Sequence, residues 1–329
     1  MTPQRWLAPL GVAYGAAAAA RVWAYRRGLM RATRLRGPVI SVGNLSVGGS
    51  GKTPVVALIA SMLQREGCRV AILSRGYGGS FRGPCLVVGD GTAVAGDAWA
   101  AGDEPVMLAR SLPGVIVAVG ERRDEVGRAV EDRFGPLVHV LDDGFQHLRL
   151  FRDLDVLCAQ ADDLRDWPLP AGRLREFASA AGRADLVLVA EDTAAPAAWP
   201  PERVFTLRRR VVGFVGVDGQ DRHPPGRVYL LSGIARPGRF AHDAAAHGLQ
   251  VLHHRAFPDH HRFTAAEVGA ACAEASALGA EAVLTTAKDA VRLPAGPWSP
   301  PLLVQRIAAE VTDEGRFRAR LLGAARRAA

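Results

Sequence analysis

The chain has 329 residues, 49% hydrophobic and 22% charged, as expected of a globular protein with one large domain or two modest ones. Its four cysteines form no Cys-x-x-Cys pair, so neither a disulfide framework nor a zinc site is indicated. The net charge of +8 comes from the first 65 residues, which carry nine Arg or Lys and no acidic residue, so the expected partner is an anionic surface rather than a nucleic acid.

The segment Leu7 to Ala20 is uncharged and rich in small and apolar residues, but it is shorter than the ~20 residues that span a bilayer. A cleaved signal peptide, a spanning anchor that continues past Arg21, an interfacial helix and an Ala-rich helix packed on the domain are the alternatives. We favour residues 1–36 as a membrane-associated helix with a basic flank on anionic lipids, because positive flanks are retained on the cytoplasmic side.

Residues Gly43 to Pro54 read GNLSVGGSGKTP, between an apolar strand at Pro38 to Val42 and helical spacing at Val55 to Glu66. A strand, a glycine turn and a helix N-terminus form an anion site, in which backbone N–H groups and the helix dipole face phosphates. Lys52 is one of only two lysines among 41 basic residues, and such a turn needs the slim point charge of Lys. The P-loop pattern has Gly where this chain has Ser46, so a glycine-rich turn without a ligand is the alternative.

The turn therefore predicts a nucleotide site. The residues predicted to hold its phosphates are Gly48, Gly49, Ser50, Gly51, Lys52 and Thr53. Thr53 would also offer its hydroxyl to Mg²⁺.

Strand and helix signals alternate along the rest of the chain. The predicted strands are 70–73, 115–119, 137–141, 228–231, 251–254 and 282–285, and the predicted helices are 104–112, 122–134, 238–248 and 264–278. This alternation is typical of an α/β protein with a mostly parallel sheet and helices on both faces. Thr264 and Glu267 predict a capping box at the last helix.

Two stretches mark a candidate boundary between domains. The chain is Ala/Pro-rich at 194–201 and Pro/Gly-rich at 220–226. We therefore divide it into a P-loop core at 37–200 and a smaller C-terminal α/β lobe at 201–329 that closes the cleft.

Asp142 and Asp143 directly follow the predicted strand 137–141. Ligands of open α/β sheets collect at the carboxyl ends of the strands, and an acidic residue there beside a P-loop holds Mg²⁺ directly or through water. The alternative is an Asp-Asp-Gly turn without a metal.

Phosphoryl transfer to an alcohol also needs a group that accepts the hydroxyl proton, usually a carboxylate or a His that a carboxylate orients. Candidates are Asp103 and Glu104 before a helix, and Asp259 to His261 in a loop. The plainer interpretations are helix N-terminal charges and a surface loop, respectively. Arg175 and Glu176 are candidates for contacting phosphate or sugar, with an ordinary solvated pair as the alternative.

Eight sequence blocks, in order, resemble the tetraacyldisaccharide 4′-kinases of lipid A biosynthesis. The blocks are SVGNLSVGGSGKTP, ILSRGYGG, GDEP, LDDGFQH followed by RDLD, LPAGRLRE, SGIARPGRF, FPDHH and TTAKDAVRL. Each block is weak alone, but eight in sequence, from the N-terminal helix to about Arg292, are highly specific. Ser46 at the first P-loop glycine is normal in that family.

The resemblance implies a P-loop kinase that uses ATP and Mg²⁺. Its acceptor would be the 4′-hydroxyl of tetraacyldisaccharide 1-phosphate, the lipid A disaccharide precursor, and its product lipid IVA. The location implied is the cytoplasmic face of the bacterial inner membrane, with the protein peripheral or monotopic on anionic lipids. We expect a monomer.

The resemblance also implies roles for individual residues. Lys52 would act on the ATP phosphates, Asp142 and Asp143 would form the Walker B pair, and Glu104 would lie close to the metal. Asp103 and His260 would be the dyad that accepts the proton of the sugar hydroxyl. Roles in lining the site are implied for Arg75, Gln146, His147, Arg175 and Glu176. The TTAKD block departs from the usual TEKD at Ala287, so no role is assigned to Lys288.

Two other classes of protein remain as alternatives. A membrane-cycling ATPase switch of the partitioning type carries a second Lys ahead of its glycine pair, where this chain has Val47. A regulatory GTPase needs an Asn/Thr-Lys-x-Asp motif, and Lys288-Asp289 lack the spacer residue.

Overall fold

The computed structural model describes residues 5–48, 51–160, 163, 165–191, 193, 195–196, 199–224 and 226–326. The strands in this part of the chain are β1 Val39–Gly43, β2 Val70–Ser74, β3 Leu86–Asp90, β4 Ile116–Val119, β5 Val138–Asp142, β6 Leu154–Ala159, β7 Leu186–Ala190, β8 Val204–Gly216, β9 Asp221–Arg222, β10 Arg227–Ser232, β11 Gln250–Ala256, β12 Ala282–Thr286 and β13 Leu302–Val311. The helices are α1 Ala8–Arg26, α2 Lys52–Arg65, α3 Ala98–Ala101, α4 Asp103–Ser111, α5 Arg123–Phe134, α6 Pro237–Ala246, α7 Ala265–Ala277, α8 Ala287–Ala290 and α9 Glu314–Arg326.

All these strands belong to one sheet, in the order β11-β10-β12-β13-β8-β7-β6-β1-β5-β2-β4-β3, with β9 beside β8. The antiparallel pairs are β3 with β4, β8 with β9 and β8 with β13, and the other neighbours are parallel. The predicted α/β class with a mostly parallel sheet is confirmed. Val42 of β1 is in register with Asp142 of β5. The glycine turn after β1, which is predicted to bind phosphate (the phosphate-binding turn), therefore leaves the sheet at the same edge as the paired aspartates Asp142 and Asp143.

The predicted elements are confirmed with their ends shifted by one to three residues, and α2 begins three residues earlier than its apolar pattern. The capping box is also confirmed, since the side chains of Thr264 and Glu267 each bond the backbone of the other residue. Strands β3, β6, β7, β8, β9 and β13 and helices α3, α8 and α9 were not predicted. Strands β6 and β7 are almost entirely buried and lack the polar alternation that marks a strand, whereas arginines interrupt the apolar patterns of β8 and α9.

The sheet passes without interruption from the first half of the chain to the second. Strand β8 pairs in parallel with β7 through its first four residues and antiparallel with β13 through most of its length. Helix α9 then returns to the first half, where Phe317 and Leu321 pack in the same apolar cluster as Ile40 and Val56. The division at 200/201 stays a prediction, and the last elements of the second half are part of the core that supports the phosphate-binding turn.

Helix α1 packs against the loop between β6 and β7. Gly11 and Gly15 are its buried residues, and a Cβ atom on them would lie 2.8 Å from the Pro168 carbonyl oxygen and 2.6 Å from the Phe177 ring, respectively. The large side chains of Leu10 and Trp23 point into solvent. No helix in the described part of the chain combines the length and the apolar character that crossing a bilayer requires.

The end of β1 approaches the turn after β5 so closely that only glycine fits. A Cβ atom on Gly43 would lie 2.5 Å from the Cβ of Phe145 and 2.8 Å from its backbone nitrogen. Phe145 is completely buried, so it cannot move aside without disturbing the core. The contact fixes the phosphate-binding turn against the paired aspartates.

We predict that Gly43→Ala lowers the free energy of unfolding by about 1–3 kcal/mol, because the added methyl group overpacks this contact. The matched control is Gly269→Ala in α7, where a Cβ atom has open space. That variant should be neutral or more stable by up to about 1 kcal/mol, since Ala favours helix. Chemical denaturation of both variants measures the difference, and equal midpoints would contradict the close approach.

Candidate active site

The phosphate-binding turn joins the end of β1 to the N-terminus of α2. Gly48 has φ of 110° and Gly51 has φ of 75°, values that glycine adopts without strain. The N-terminus of α2 points its free N–H groups and the positive end of its dipole into the turn. Gly49 and Ser50 lie outside the described residues.

Two side chains hold Lys52 in place. Its Nζ donates to Oδ1 of Asn44 at 3.0 Å and lies 3.2 Å from Oδ1 of Asp143. Asn44 is fully buried and donates in turn to the Ser46 carbonyl oxygen at 2.7 Å. The backbone of residue 46, where the P-loop pattern has Gly and this chain has Ser, therefore helps to hold the Asn44 side chain that contacts Lys52.

Asp142 is buried at the tip of β5. Its Oδ2 accepts from the Ser74 hydroxyl at 3.1 Å, and its Oδ1 has no hydrogen-bond partner among the described residues. Burial raises the pKa of Asp142 to about 7, and the neighbouring carboxylates of Glu104 and Asp143 act in the same direction. The positive charge near Asp142 is therefore too small to offset its burial and the neighbouring carboxylates.

Asp143 faces the opposite balance. It adopts a left-handed backbone, with φ of 55°, and its Oδ2 accepts from Nη1 of Arg175 at 2.7 Å. Burial opposes its ionisation, but Lys52 and Arg175 outweigh that cost and lower the pKa of Asp143. The two adjacent aspartates therefore differ: nearby cations lower the pKa of Asp143, whereas burial and neighbouring carboxylates raise that of Asp142.

The oxygens at this edge fit a divalent cation that also binds phosphate. Thr53, Asp142, Asp143 and Glu104 all line one cleft, and the unpartnered Oδ1 of Asp142 is a hard oxygen donor. No three acidic, His or Cys side chains converge into a complete cage within the described ranges. That pattern suits Mg²⁺, which takes one or two carboxylates and completes its shell with phosphate oxygens and water.

Asp103 and His260, 157 residues apart, meet in a direct hydrogen bond. Asp103 is the first residue of α4, and His260 lies in the loop after β11. The His260 Nδ1 donates to Oδ2 of Asp103 at 2.8 Å, as it must because a carboxylate only accepts. Asp103 is 8% exposed and His260 is 32% exposed. The carboxylate therefore orients an imidazole that is partly exposed at the cleft.

Lys288, to which the sequence assigned no role, lies beside this pair. Its Nζ is 3.2 Å from Oδ1 of Asp259, 3.3 Å from Nε2 of His260 and 3.8 Å from Oε1 of Glu104. It is the second residue of the short helix α8, which follows β12, and α8 packs against α4. The second lysine of the chain therefore lies in the same site as the first.

Four of the five residues predicted to line the site lie at the cleft: Arg75, Gln146, Arg175 and Glu176. Gln146 donates to the Asn44 carbonyl oxygen at 3.0 Å, which joins it to the phosphate-binding turn. Glu176 is nearly buried and is held by two bonds from the guanidinium of Arg183.

His147 lies elsewhere. Its side chain does not line the cleft, and its Nε2 is 3.9 Å from Oδ1 of Asp124 at the start of α5. Burial, reinforced by the neighbouring Arg123, lowers the pKa of His147 to about 3. The imidazole is therefore neutral at physiological pH.

The cleft that joins these groups has a volume of about 1360 Å³. The predicted residues that line it are Gly48, Gly51, Lys52, Thr53, Arg75, Glu104, Asp142, Asp143, Gln146, Arg175, Glu176 and His260. One wall is α1, through Tyr14, Ala17, Ala18, Arg21 and Val22. Asp103 lies behind His260.

Sequence reasoning missed Asn44, Ser74 and Arg292. Asn44 and Ser74 each follow or end a buried strand at the edge where ligands collect, and that position was the available signal. No sequence signal pointed to Arg292, because its contacts with Asp103 and Asp289 arise only in the folded chain.

The chain is similar to known proteins over almost its whole length. The family model described as LpxK, tetraacyldisaccharide-1-P 4′-kinase, matches residues 3–326. The tetraacyldisaccharide 4′-kinase of Anaeromyxobacter dehalogenans (strain 2CP-C) is 46% identical over 305 residues, or 85% of this chain and 79% of that protein. That of Geobacter metallireducens is 42% identical over 297 residues, or 87% and 88%.

One solved structure shares the fold closely. It is a crystal structure of the "apo" form of LpxK from Aquifex aeolicus in complex with ATP. The TM-score is 0.84 at 32% sequence identity, with 98% of this chain and 99% of that chain covered.

The burial of His147 predicts a pH dependence of stability. Between pH 6.5 and about 3 the unfolded chain binds a proton at this residue and the folded chain does not, so the contribution of His147 to stability falls as the pH falls. We predict that His147→Gln loses less stability than the parent chain across this range, by up to about 1.4 kcal/mol per pH unit. Urea denaturation at several pH values measures this, and parallel curves would contradict the buried placement.

Proposed function

This chain belongs to the tetraacyldisaccharide-1-P 4′-kinase family, and from that premise we propose that it transfers the γ-phosphoryl group of ATP to the 4′-hydroxyl of tetraacyldisaccharide 1-phosphate, giving lipid IVA. One observation carries the proposal for this chain. The carboxylate–imidazole pair of Asp103 and His260 is assembled at a cleft that also contains the phosphate-binding turn at Lys52.

The nucleotide phosphates bind at the turn. Residues 48–53 form the cradle in this proposal, including Gly49 and Ser50. Lys52 supplies a point charge for the phosphates, and its bond to Asn44 holds the ammonium group in position before the nucleotide arrives. The solved relative with bound ATP supports this assignment.

Mg²⁺ is the proposed metal, held by Thr53 and the Walker B pair Asp142 and Asp143, with Glu104 close to it. When bound, it neutralises the negative charge of the phosphate oxygens. The residues contribute hard oxygen donors, among them the Oδ1 of Asp142 that lacks a partner.

Asp103 and His260 accept the proton. As the sugar oxygen bonds to the transferred phosphorus, its O–H bond breaks and the proton passes to this pair, while the bond to ADP breaks with its electron pair. The Oδ2 of Asp103 accepts the hydrogen on Nδ1 of His260, so Nε2 is the nitrogen of the ring that can accept a proton, and Nζ of Lys288 lies 3.3 Å from it. Such acid–base assistance contributes about 10²–10⁴-fold.

The acceptor side of the site is assigned to Arg75, Gln146, His147, Arg175 and Glu176. His147 would act indirectly, since it lies behind the cleft. The wall formed by Tyr14, Ala17 and Val22 of α1 offers apolar surface to the acyl chains. The substrate would then lie between the helix and the phosphate-binding turn.

We assign the protein to the cytoplasmic face of the inner membrane, as a peripheral or monotopic monomer. Helix α1 exposes the large side chains of Leu10 and Trp23, and arginines follow at Arg26 and Arg27. Apolar side chains next to arginines bind an interface that contains anionic lipids.

The alternative function is an ATPase switch of the partitioning type. Such a switch needs no dyad for an alcohol acceptor, whereas Asp103 and His260 are built from distant parts of this chain at the cost of a strained His260 backbone, with φ of 62°. Turnover of ATP at equal rates with and without the lipid would favour the switch.

We predict that His260→Ala lowers kcat for the disaccharide lipid by about 10²–10⁴-fold, because the pair can no longer take the proton. The matched control is His261→Ala, since the side chain of His261 instead contacts Glu267 and stacks on Phe257. That variant should stay within a few-fold of the parent chain. Mass spectrometry of phosphate added to the lipid measures both, and an undiminished product with His260→Ala would refute the dyad.

We predict that replacing Leu10 and Trp23 together by Gln reduces binding to vesicles containing phosphatidylglycerol by at least about ten-fold, since burying each such side chain contributes about 1.5–3 kcal/mol. The control replaces Val217 and Leu278, which are exposed elsewhere, by Gln. Vesicle sedimentation measures the difference. If the two double variants lost vesicle binding equally, α1 would not be part of the membrane contact.

A further inference from the structure

Arg292 lies behind the Asp103–His260 pair. Its side chain is 5% exposed and does not line the cleft, so it does not reach the substrates. Its Nε lies 3.5 Å from Oδ2 of Asp103, the oxygen that also accepts the hydrogen bond from His260. One buried cation therefore faces the carboxylate that orients the imidazole.

The same guanidinium also holds the backbone next to His260. Its Nη2 donates to the Gly233 carbonyl oxygen at 3.1 Å, and that oxygen also accepts from the His260 backbone N–H at 3.1 Å. Asp289 completes the network: it pairs with the guanidinium and accepts from the Gly233 N–H at 3.1 Å. Both members of the dyad are therefore connected to one arginine.

His260 needs such support because its backbone is strained. Its φ of 62° costs a residue other than glycine about 1–3 kcal/mol and persists only where the surroundings impose it. The bonds from the His260 N–H to Gly233 and to its own neighbour Asp259 impose it here.

The charges also require Arg292. Asp103 and Asp289 are buried carboxylates that both lie within ion-pair distance of one guanidinium. Without it both would lose this buried ion-pair partner, and a buried charge that loses its partner is strongly destabilising. Asp103 would then be free to turn from the imidazole toward water.

We propose that Arg292 is a positioning residue for phosphoryl transfer. It fixes the Asp103 carboxylate and the Gly233 carbonyl together, so that the imidazole of His260 is held with Nε2 at the cleft. The proposal rests on the proposed function, because the pair affects the rate only if it takes the proton of the acceptor hydroxyl.

The kinetic test compares Arg292→Met with Arg292→Lys. The Met variant should lower kcat by about 10- to 100-fold, part of the contribution of the dyad, with the KM for ATP within about two-fold. The Lys variant keeps the charge but not the planar fork, so it should recover part of the loss. Unchanged kcat, or a rise in the KM for ATP alone, would overturn the proposal.

Arg152→Met is the matched control for stability. Arg152 is nearly buried, pairs with a carboxylate three residues away as Arg292 does, and does not line the cleft. It should destabilise the fold comparably while leaving kcat within about two-fold. A loss of kcat equal to that of Arg292→Met would assign the effect to general destabilisation.

A double-mutant cycle with His260→Ala separates positioning from an independent role. If Arg292 acts through the pair, Arg292→Met should cost less than about three-fold in the His260→Ala background. A loss of the same size in both backgrounds would overturn the proposal.

Ring ¹⁵N chemical shifts of His260 test the positioning without any substrate. The Nδ1 and Nε2 shifts, assigned with His260→Ala, should differ between the parent chain and Arg292→Met, because the hydrogen bond to Asp103 is altered. Identical shifts would overturn the proposal. Absence of lipid product with the parent chain would overturn the proposed function instead, and the shifts would still decide whether Arg292 fixes the pair.

Discussion

Burial of a carboxylate at the tip of β5 is the constraint on which the rest of the site depends. Asp142 has Asp143 and Glu104 near it, and the positive charge of Lys52 does not offset the effect of these carboxylates and of burial on its pKa. The site therefore has oxygen donors in place for a cation before any ligand arrives, and a ligand that brings both Mg²⁺ and phosphates satisfies the carboxylates and the lysine together. The close contact between Gly43 and Phe145 holds the turn that carries Asp142 and Asp143 against the phosphate-binding turn. Nucleotide affinity and the stability of this edge of the sheet are consequently coupled.

The continuity of the sheet brings Asp103 and His260 together. Strands β8 and β13 carry the sheet from the first half of the chain to the second, and α8 of the second half packs on α4 of the first. The hydrogen bond between Asp103 and His260 crosses this junction, as does the ion pair between Arg292 and Asp103. Any relative movement of the two halves would therefore change the geometry of the Asp103–His260 pair.

The local part of the site could be predicted from sequence, because the strand, the glycine turn and the helix that form the phosphate cradle are consecutive. Contacts made by tertiary folding could not. Gln146 and His147 are neighbours in one motif, yet the turn after β5 directs Gln146 to the cleft and His147 to Asp124. The pairing of Asp103 with His260 came from the family resemblance, since no local pattern joins residues 157 apart. Strands β6 and β7 were not predicted, because a strand that is buried on both faces lacks the alternation of apolar and polar residues that marks a strand in a sequence.

Arginine and lysine have different structural roles in this molecule. All but two of its 41 basic residues are arginine, and both lysines, Lys52 and Lys288, lie in the cleft. Arginine is used where one guanidinium contacts several fixed acceptors, as Nη2 of Arg292 contacts Asp289 and the Gly233 carbonyl. The ammonium group of Lys288 instead lies within 3.8 Å of three side chains, and that of Lys52 lies between Asn44 and Asp143. A compact charge can follow a phosphoryl group between donor and acceptor, whereas a guanidinium held at several points fixes what must not move.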